Sequence, residues 1–249
     1  MKTFIPWVGG KALLAKKIIA EFPPEIERYI EVFGGGGSIL FQKKPSHYEV
    51  YNDFNSDLVN LFRCMKYHEP EMKREISGYI NAREVFQEVK ARLENGVGFT
   101  DIQRAGMFYI LTRLSYGANC QDFGLKPRAI PTDAFEDISE RLKGVIIENK
   151  DFENLIKTYD NDKSFFYCDP PYYKAEKFYT SQFSEQDHIK LKETLSHIKG
   201  KFALSYNNTD FILELYKDYK IIPFERNCGL SVKQDNTRPT YRELIIKNF

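Results

Sequence analysis

The chain reads as a doubly wound, Rossmann-like α/β sheet interrupted by a mainly helical insert, and three observations predict this. Strand and helix patterns alternate from Lys11 to Met65, the rhythm of a parallel sheet built from βα units. From about Tyr67 to Lys143 the pattern is almost wholly helical. Strand signals then resume at Gly144 and run on to Ile246. The 249 residues divide accordingly into a first sheet part (1–62), an insert (63–143) and a second sheet part (144–249).

Taken in order, Leu13, Leu14, Ile18, Ile19 and Phe22 recur at helical spacing and predict a helix from about Lys11 to the Pro23-Pro24 stop. Tyr29–Phe33 reads as a short buried strand opening into Gly34-Gly35-Gly36-Gly37, with Ser38 as the cap of the next helix. His47–Tyr51 is the second strand, and Asp57–Met65 the helix after it. Helical patterns in the insert cover Glu71–Tyr79, Arg83–Leu93, Asp101–Leu111 and Ala134–Leu142, around an irregular polar stretch from Ser115 to Pro131. Strands are expected at Gly144–Ile147, Phe165–Cys168, Lys201–Ser205, Lys220–Ile222 and Arg242–Ile246, with an amphipathic helix over Glu185–Ile198. No internal repeat or low-complexity segment interrupts this order.

Composition narrows the class. With 42% hydrophobic residues the chain can bury a sizeable core. Its 36 cations nearly balance 35 anions, so no global field advertises a polyanionic partner, which argues against a purely electrostatic binder. Cys64, Cys120, Cys168 and Cys228 are widely spaced and form no C-x-x-C pair. A zinc site or disulfide framework is therefore not expected, and a reducing cytoplasm is. No apolar run has membrane-spanning length and the N-terminus has no signal-peptide core, so a soluble protein with no membrane partner is expected.

The most informative residues are Asp169-Pro170-Pro171-Tyr172, at the end of the aromatic run Phe165–Cys168. Pro170 has no N–H, while its carbonyl remains an acceptor at a fixed angle. A carboxylate and a carbonyl converging beside a π-face suit an aromatic base that carries an exocyclic amino group. A strand-ending proline pair with an incidental Asp is the other reading of the tetrapeptide.

Two further clusters bear on the choice. The glycine run sits where a strand turns into a helix, a place where glycine permits positive φ and close approach of a ligand. Asp53 ends the next strand roughly 20 residues on, where a ribose-binding carboxylate is expected in such sheets. Asp53 could equally be a helix cap, but Asn55 and Ser56 are better placed to cap. Gly34-x-Gly36 lacks the full dinucleotide spacing, which favours a nucleoside-type cofactor. The third cluster, Pro6-Trp7-Val8-Gly9-Gly10-Lys11, contains the only tryptophan. Trp7 suits stacking on a purine or ordinary packing. Lys11, expected at a positive helix end, is disfavoured there unless an anion is bound.

In this order, with Tyr51–Leu58 between the last two, the three clusters resemble the Dam-like family of adenine-specific (N6) DNA methyltransferases. The resemblance spans most of the chain, including the interposed domain and the closing Tyr241–Ile246 strand. It implies S-adenosyl-L-methionine as cofactor and double-stranded DNA as substrate. It further implies that Trp7 packs near the cofactor adenine, Lys11 faces its carboxylate, and Phe33, Gly34 and Gly36 wrap the methionine part. Asp53 would bind the ribose and Asp169 would lie where cofactor and substrate meet. Asp169 and the carbonyl of Pro170 would then hold the N6 amino group of a flipped-out adenine, with Tyr172 stacked on it.

The resemblance also makes the insert the DNA reader. Between Arg104 and Arg128 four cations (Arg104, Arg113, Lys126, Arg128) face one acid, Asp122, with Tyr109, Tyr116, Asn119, Gln121 and Phe123 interleaved. Such residues suit phosphate contacts, base-edge hydrogen bonds and stacking; a solvated loop is the bland alternative. The expected DNA-binding set is Arg113, Tyr116, Asn119, Lys126 and Arg128. The stretch after Tyr116 is shorter than the family's long hairpin, so the resemblance does not carry over a GATC target. Lys233–Arg242 is a second basic stretch, read as a surface loop. All four histidines are read as structural, His188 on a surface helix. A cytosine-N4 methyltransferase and a silent DNA-binding protein on a methylase scaffold are the alternatives. The first more often has Ser in place of Asp169, and the intact Trp7, Lys11, Asp53 and Asp169 argue against the second. A monomer and a cognate restriction endonuclease are expected.

Overall fold

Buried strands and amphipathic helices alternate along the chain in a computed structural model that describes residues 1–126, 129–174, 183–227 and 240–249. The chain begins with α1 (Ala15–Ala20), β1 (Arg28–Glu31), α2 (Ser38–Gln42), β2 (Tyr48–Asn52) and α3 (Ser56–Tyr67). Next come α4 (Glu69–Ser77), α5 (Arg83–Asn95), α6 (Asp101–Leu114), a 3-10 turn at Tyr116–Ala118, and α7 (Phe135–Leu142). The remainder is β3 (Val145–Glu148), α8 (Phe152–Tyr159), β4 (Ser164–Cys168), α9 (Glu185–Ser196), β5 (Lys201–Asn207), α10 (Asp210–Leu215), β6 (Lys220–Asn227) and β7 (Thr240–Lys247).

The strands form one seven-stranded sheet in the order β3-β2-β1-β4-β5-β7-β6. The pairs β1–β4, β2–β3 and β4–β5 are parallel, and β7 lies antiparallel to β5 and β6. This is the doubly wound α/β class that the sequence predicts. Strand β4 is buried at all five residues, Ser164-Phe165-Phe166-Tyr167-Cys168. Parallel strands covered on both faces read as such unbroken runs.

Two compact units can be distinguished. The first comprises Met1–Ala12, Gly34–Lys43 and Glu49–Lys150. Its central helix α6 is buried from Ala105 to Thr112 and again at Leu114, and packs against α3, α4 and α5. A helix apolar on nearly every side belongs inside a bundle. Thr100 and Gln103 close its N-terminus in a reciprocal capping box. A buried charged trio also belongs to this unit: Glu49 takes Lys43 at 2.5 Å and a two-pronged Arg141 at 2.5 and 2.9 Å.

The second unit comprises Leu13–Phe33, Lys44–Tyr48 and Asp151–Phe249. Helices α8 and α9 pack on each other there. His188, expected on the surface, is fully buried, because Leu191 and Leu195 share its face of α9.

Other differences from the sequence reading are local. Helix α1 starts at Ala15, because the chain before it is still turning at Gly9 (φ +75°) and through Gly10 N–H donating to the Trp7 carbonyl. Lys11 is thus not at a helix end; it is buried and donates to the Gly9 carbonyl at 3.0 Å. Ser38 is the first residue of α2, and the cap position falls to Gly37 at φ +68°, where glycine is favoured. Helices α8 and α10 were not foreseen, although Asp151 and Thr209 cap them in the ordinary way. No helix among the described residues is long and apolar enough to cross a membrane.

Candidate active site

In the first unit the chain between β1 and α2 is pinned to the end of β2. Gly34 N–H donates to the Asn52 carbonyl at 2.7 Å, Gly37 N–H to the Gly34 carbonyl at 2.8 Å, and the Tyr51 hydroxyl to the Gly35 carbonyl at 2.6 Å. The glycines make room for aromatic rings. A Cβ on Gly34 would lie 2.2 Å from the Tyr51 ring, and one on Gly35, at φ +50°, 2.7 Å from Trp7 Cδ1. Gly36 faces the Trp7 Cβ, and the half-buried Trp7 ring rests at 6.2 Å from Phe108. Tyr51 is itself stacked on Phe62 at 4.0 Å.

Asp53 follows β2 and is half-buried. Its Oδ2 accepts Gly35 N–H and its Oδ1 accepts Asn55 N–H, both at 2.8 Å. Asn55 caps α3 by accepting from Asp57 and Leu58, as its position in the sequence suggests. Burial pushes the Asp53 carboxyl above its usual range, against the pull of the Asn55, Gly35 and Phe54 N–H groups. Carboxylate oxygens have two lone pairs each, so both Asp53 oxygens keep acceptor capacity for a ribose diol. With Lys11 as a buried cation and Trp7 as an aromatic wall, the residues present fit S-adenosyl-L-methionine. Phe33 belongs to the second unit, where it lies 5.8 Å from both Phe152 and Phe183.

In the second unit, Asp169 leaves the end of β4 half-buried and Pro170 is buried. Residues before proline are biased to extended backbone, which suits the place of Asp169 directly after β4. The Tyr172 hydroxyl donates to Glu243 Oε2 of β7 at 2.9 Å. Tyr173 stacks on Phe211 at 4.3 Å, its hydroxyl donates to Glu185 at 2.8 Å, and its carbonyl accepts the Asn207 amide at 2.9 Å. Below them the Tyr167 hydroxyl meets Ser205 Oγ at 2.9 Å and His188 Nδ1 meets the Tyr206 hydroxyl at 2.5 Å. Burial, with the Asp169 charge next, pushes the phenols of Tyr167 and Tyr172 well up, so both stay neutral donors. Cys168, expected as a small buried strand residue, is one, its thiol raised by burial and by Asp169.

The cations of the insert are used unequally. Arg104 pairs with Asp57 at 2.5 Å and touches Ser56 at 3.1 Å. Arg113 turns inward, donating to the Phe4 carbonyl at 2.5 Å and lying over the Tyr109 ring. Asn119 is an internal brace: its Oδ1 accepts from Gln121 and Asp122 N–H, and its Nδ2 donates to Asp122. Tyr116 is 59% exposed, and Lys126 is exposed. Arg128 and Lys233–Pro239 lie outside the described residues.

Sequence reasoning passed over Glu243. The available signal was an acid at the head of the apolar run Leu244-Ile245-Ile246, where a charge has to find a buried partner.

The profile of the D12 class N6 adenine-specific DNA methyltransferase family matches residues 7–228. The type II methyltransferase M1.LlaDCHI of Lactococcus lactis subsp. cremoris is 28% identical, over 100% of this chain and 96% of its own length. The type II methyltransferase M.MjaIII of Methanocaldococcus jannaschii is 26% identical over 100% and 99%, and the DNA adenine methylase of Escherichia coli (strain K12) 24% over 98% and 97%. The matched range takes in the Asp169–Tyr172 strand end, the glycine loop and the acid after β2. The chain belongs to the D12 class of N6 adenine-specific DNA methyltransferases, with S-adenosyl-L-methionine as methyl donor and duplex DNA as substrate.

Proposed function

We propose that Trp7, Lys11, Gly34, Gly36 and Asp53, together with Phe33, hold the cofactor, and that Asp169, Pro170 and Tyr172 hold the target adenine. The observation that carries this is the pairing of chemistries. The first unit offers Asp53 with spare lone pairs beside a glycine loop; the second offers a half-buried carboxylate before a buried proline and a neutral phenol. Bound S-adenosyl-L-methionine supplies an electrophilic methyl group on a sulfonium. Asp53 accepts the ribose hydroxyls, Lys11 neutralises the amino-acid carboxylate, and Trp7 walls the adenine. Asp169 also reaches the cofactor side in this reading.

An adenine amino group is a poor nucleophile because its lone pair is delocalised into the ring. The Asp169 carboxylate and the Pro170 carbonyl accept hydrogen bonds from its two N–H groups, favour a pyramidal nitrogen and stabilise the positive charge that grows there. Tyr172 stacks on the extruded base and recovers part of the stacking lost from the duplex. Positioning supplies much of the remaining barrier reduction. Family membership assigns adenine, so the cytosine-N4 alternative is set aside.

In this proposal the insert reads DNA. Tyr116 is its exposed ring, Lys126 and Arg128 its phosphate contacts, Asn119 braces the loop that presents Tyr116, and Arg113 is a further member of the set. We infer a monomeric cytoplasmic enzyme with a restriction endonuclease of the same site as its partner; the type II names of two relatives support the last point.

Mapping modified bases in DNA from cells that express the protein tests the reading. The expected result is N6-methyladenine at one short sequence, lost with Asp169→Ala while the thermal transition stays within a few degrees of wild type. Methylation persisting in Asp169→Ala would remove that residue from the chemistry. Cofactor binding with no transfer to any duplex would favour the silent DNA-binding alternative.

A further inference from the structure

Glu243 is a carboxylate 1% exposed on β7, and its Oε2 receives the Tyr172 hydroxyl at 2.9 Å. Its partner in register across the β5–β7 ladder is Asn207, whose side-chain amide holds the carbonyl of the adjacent Tyr173 at 2.9 Å. One rung of the ladder therefore grips two successive residues of the Asp169–Tyr173 segment, one by its phenol and the next by its backbone. A buried charge is tolerated only where hydrogen bonds compensate its lost hydration, and a hydrogen bond to a charged acceptor is shorter and stronger than a neutral one. An aromatic ring can tilt about its Cα–Cβ bond unless its far end is anchored. The Glu243 contact is such an anchor. We propose that Glu243, with Asn207 opposite it, is a positioning residue that fixes the direction in which the Tyr172 ring extends toward the target base. The proposal rests on the reading of Tyr172 as the platform for that base.

A merely structural Glu243 and a positioning one predict different behaviour. Replacing both partners of a buried hydrogen bond by apolar groups of similar shape is often neutral or stabilising for a fold. The double variant Glu243→Leu/Tyr172→Phe should therefore keep the thermal transition, while single-turnover methyl transfer in Glu243→Leu falls about tenfold, the scale of one hydrogen bond to a charged group. Tyr172→Phe should fall equally, the double variant no further, and Glu243→Gln, which retains an acceptor oxygen, should recover most of the rate. The KM for S-adenosyl-L-methionine should not change in any of them. With 2-aminopurine at the target position of the mapped site, emission should be quenched by stacking in the wild type and brighter in Glu243→Leu and Tyr172→Phe.

Additive losses, or a wild-type rate in Tyr172→Phe, would overturn the proposal. The latter outcome is decisive even if Glu243→Leu does not fold, because Tyr172→Phe removes only the hydroxyl. Tyr172→Ala separates this failure from failure of the underlying reading. A slow, bright Tyr172→Ala beside a wild-type Tyr172→Phe sinks only the role of Glu243, whereas an unimpaired Tyr172→Ala removes Tyr172 from the base altogether.

Discussion

Lys11 is 4% exposed and donates to the Gly9 carbonyl at 3.0 Å, in a stretch whose next helix begins only at Ala15. An ammonium has three N–H donors on a compact charge. A buried one is suited to receive a small carboxylate, and unsuited to reaching a phosphate backbone. Lys11→Met keeps most of the stem and removes the charge. The S-adenosyl-L-methionine Kd should rise about tenfold, equivalent to ~1.4 kcal/mol, with duplex affinity in the absence of cofactor little changed. Titration of cofactor and of duplex by calorimetry checks this; the reverse ranking would make Lys11 a DNA contact. The residue scale also explains why Glu243 escaped notice. Whether an acid in a strand is a solvated edge or a buried anchor depends on which chain covers it, and its partner Tyr172 is 71 positions away.

At the scale of elements, the loop from Gly34 to Gly37 shows how a short segment is held by its neighbours. Its glycine pattern suggests a place where a ligand approaches the backbone. In the folded chain the groups nearest to Gly34 and Gly35 are the Tyr51 and Trp7 rings. Gly35 is the sharpest case, combining φ +50° with a Cβ position 2.7 Å from Trp7 Cδ1. Gly35→Ala is expected to cost about 2 kcal/mol through backbone strain and overpacking. That corresponds to a fall of about 4–8 °C in Tm for a chain of this size, and cofactor affinity should fall with it because Asp53 receives Gly35 N–H. Calorimetric melting and a cofactor titration read both; an unchanged Tm would mean that Trp7 swings aside freely. The segment Ser115–Gly124 is braced in the same manner. Ser115 bridges Phe123, and Tyr116 N–H and Gly124 N–H donate to the carbonyls of Asp122 and Leu114. Its presentation of Tyr116 is therefore set by local hydrogen bonds that include both ends of Asn119.

Across the whole molecule, stability in acid turns on buried carboxylates. Burial alone would raise the Glu49 carboxyl, but the Arg141 hydrogen bond and the Lys43 charge outweigh it and hold it below the ordinary 4.5. A group whose folded pKa is depressed stabilises the fold fully above its unfolded value and loses that contribution as pH falls through the folded one. Asp53 works the other way: raised above 3.8 in the fold, it opposes folding when ionised and stops doing so on protonation. Glu49→Gln leaves Lys43 and Arg141 buried without their counter-charge, so about 3 kcal/mol should be lost at neutral pH. The gap to wild type should narrow as pH falls below 4.5, because only the wild type has this carboxylate to protonate. Tm measured against pH for both proteins checks the sign, and a gap constant with pH would rule out the ionised trio as its source.

The class of sheet, the helical interruption and the order Trp7–Lys11, Gly34–Gly37, Asp53 and Asp169–Tyr172 were all legible in the linear chain. Alternation of apolar residues reports burial directly, and short motifs are contiguous in the chain. Tertiary structure alone decided how individual side chains are used. It turned Arg113 inward to Phe4, made Asn119 a brace, buried His188 against Tyr206 and set Glu243 against Tyr172. Those outcomes depend on contacts between residues distant in sequence. Local periodicity says which face of an element is covered, but carries no record of what covers it.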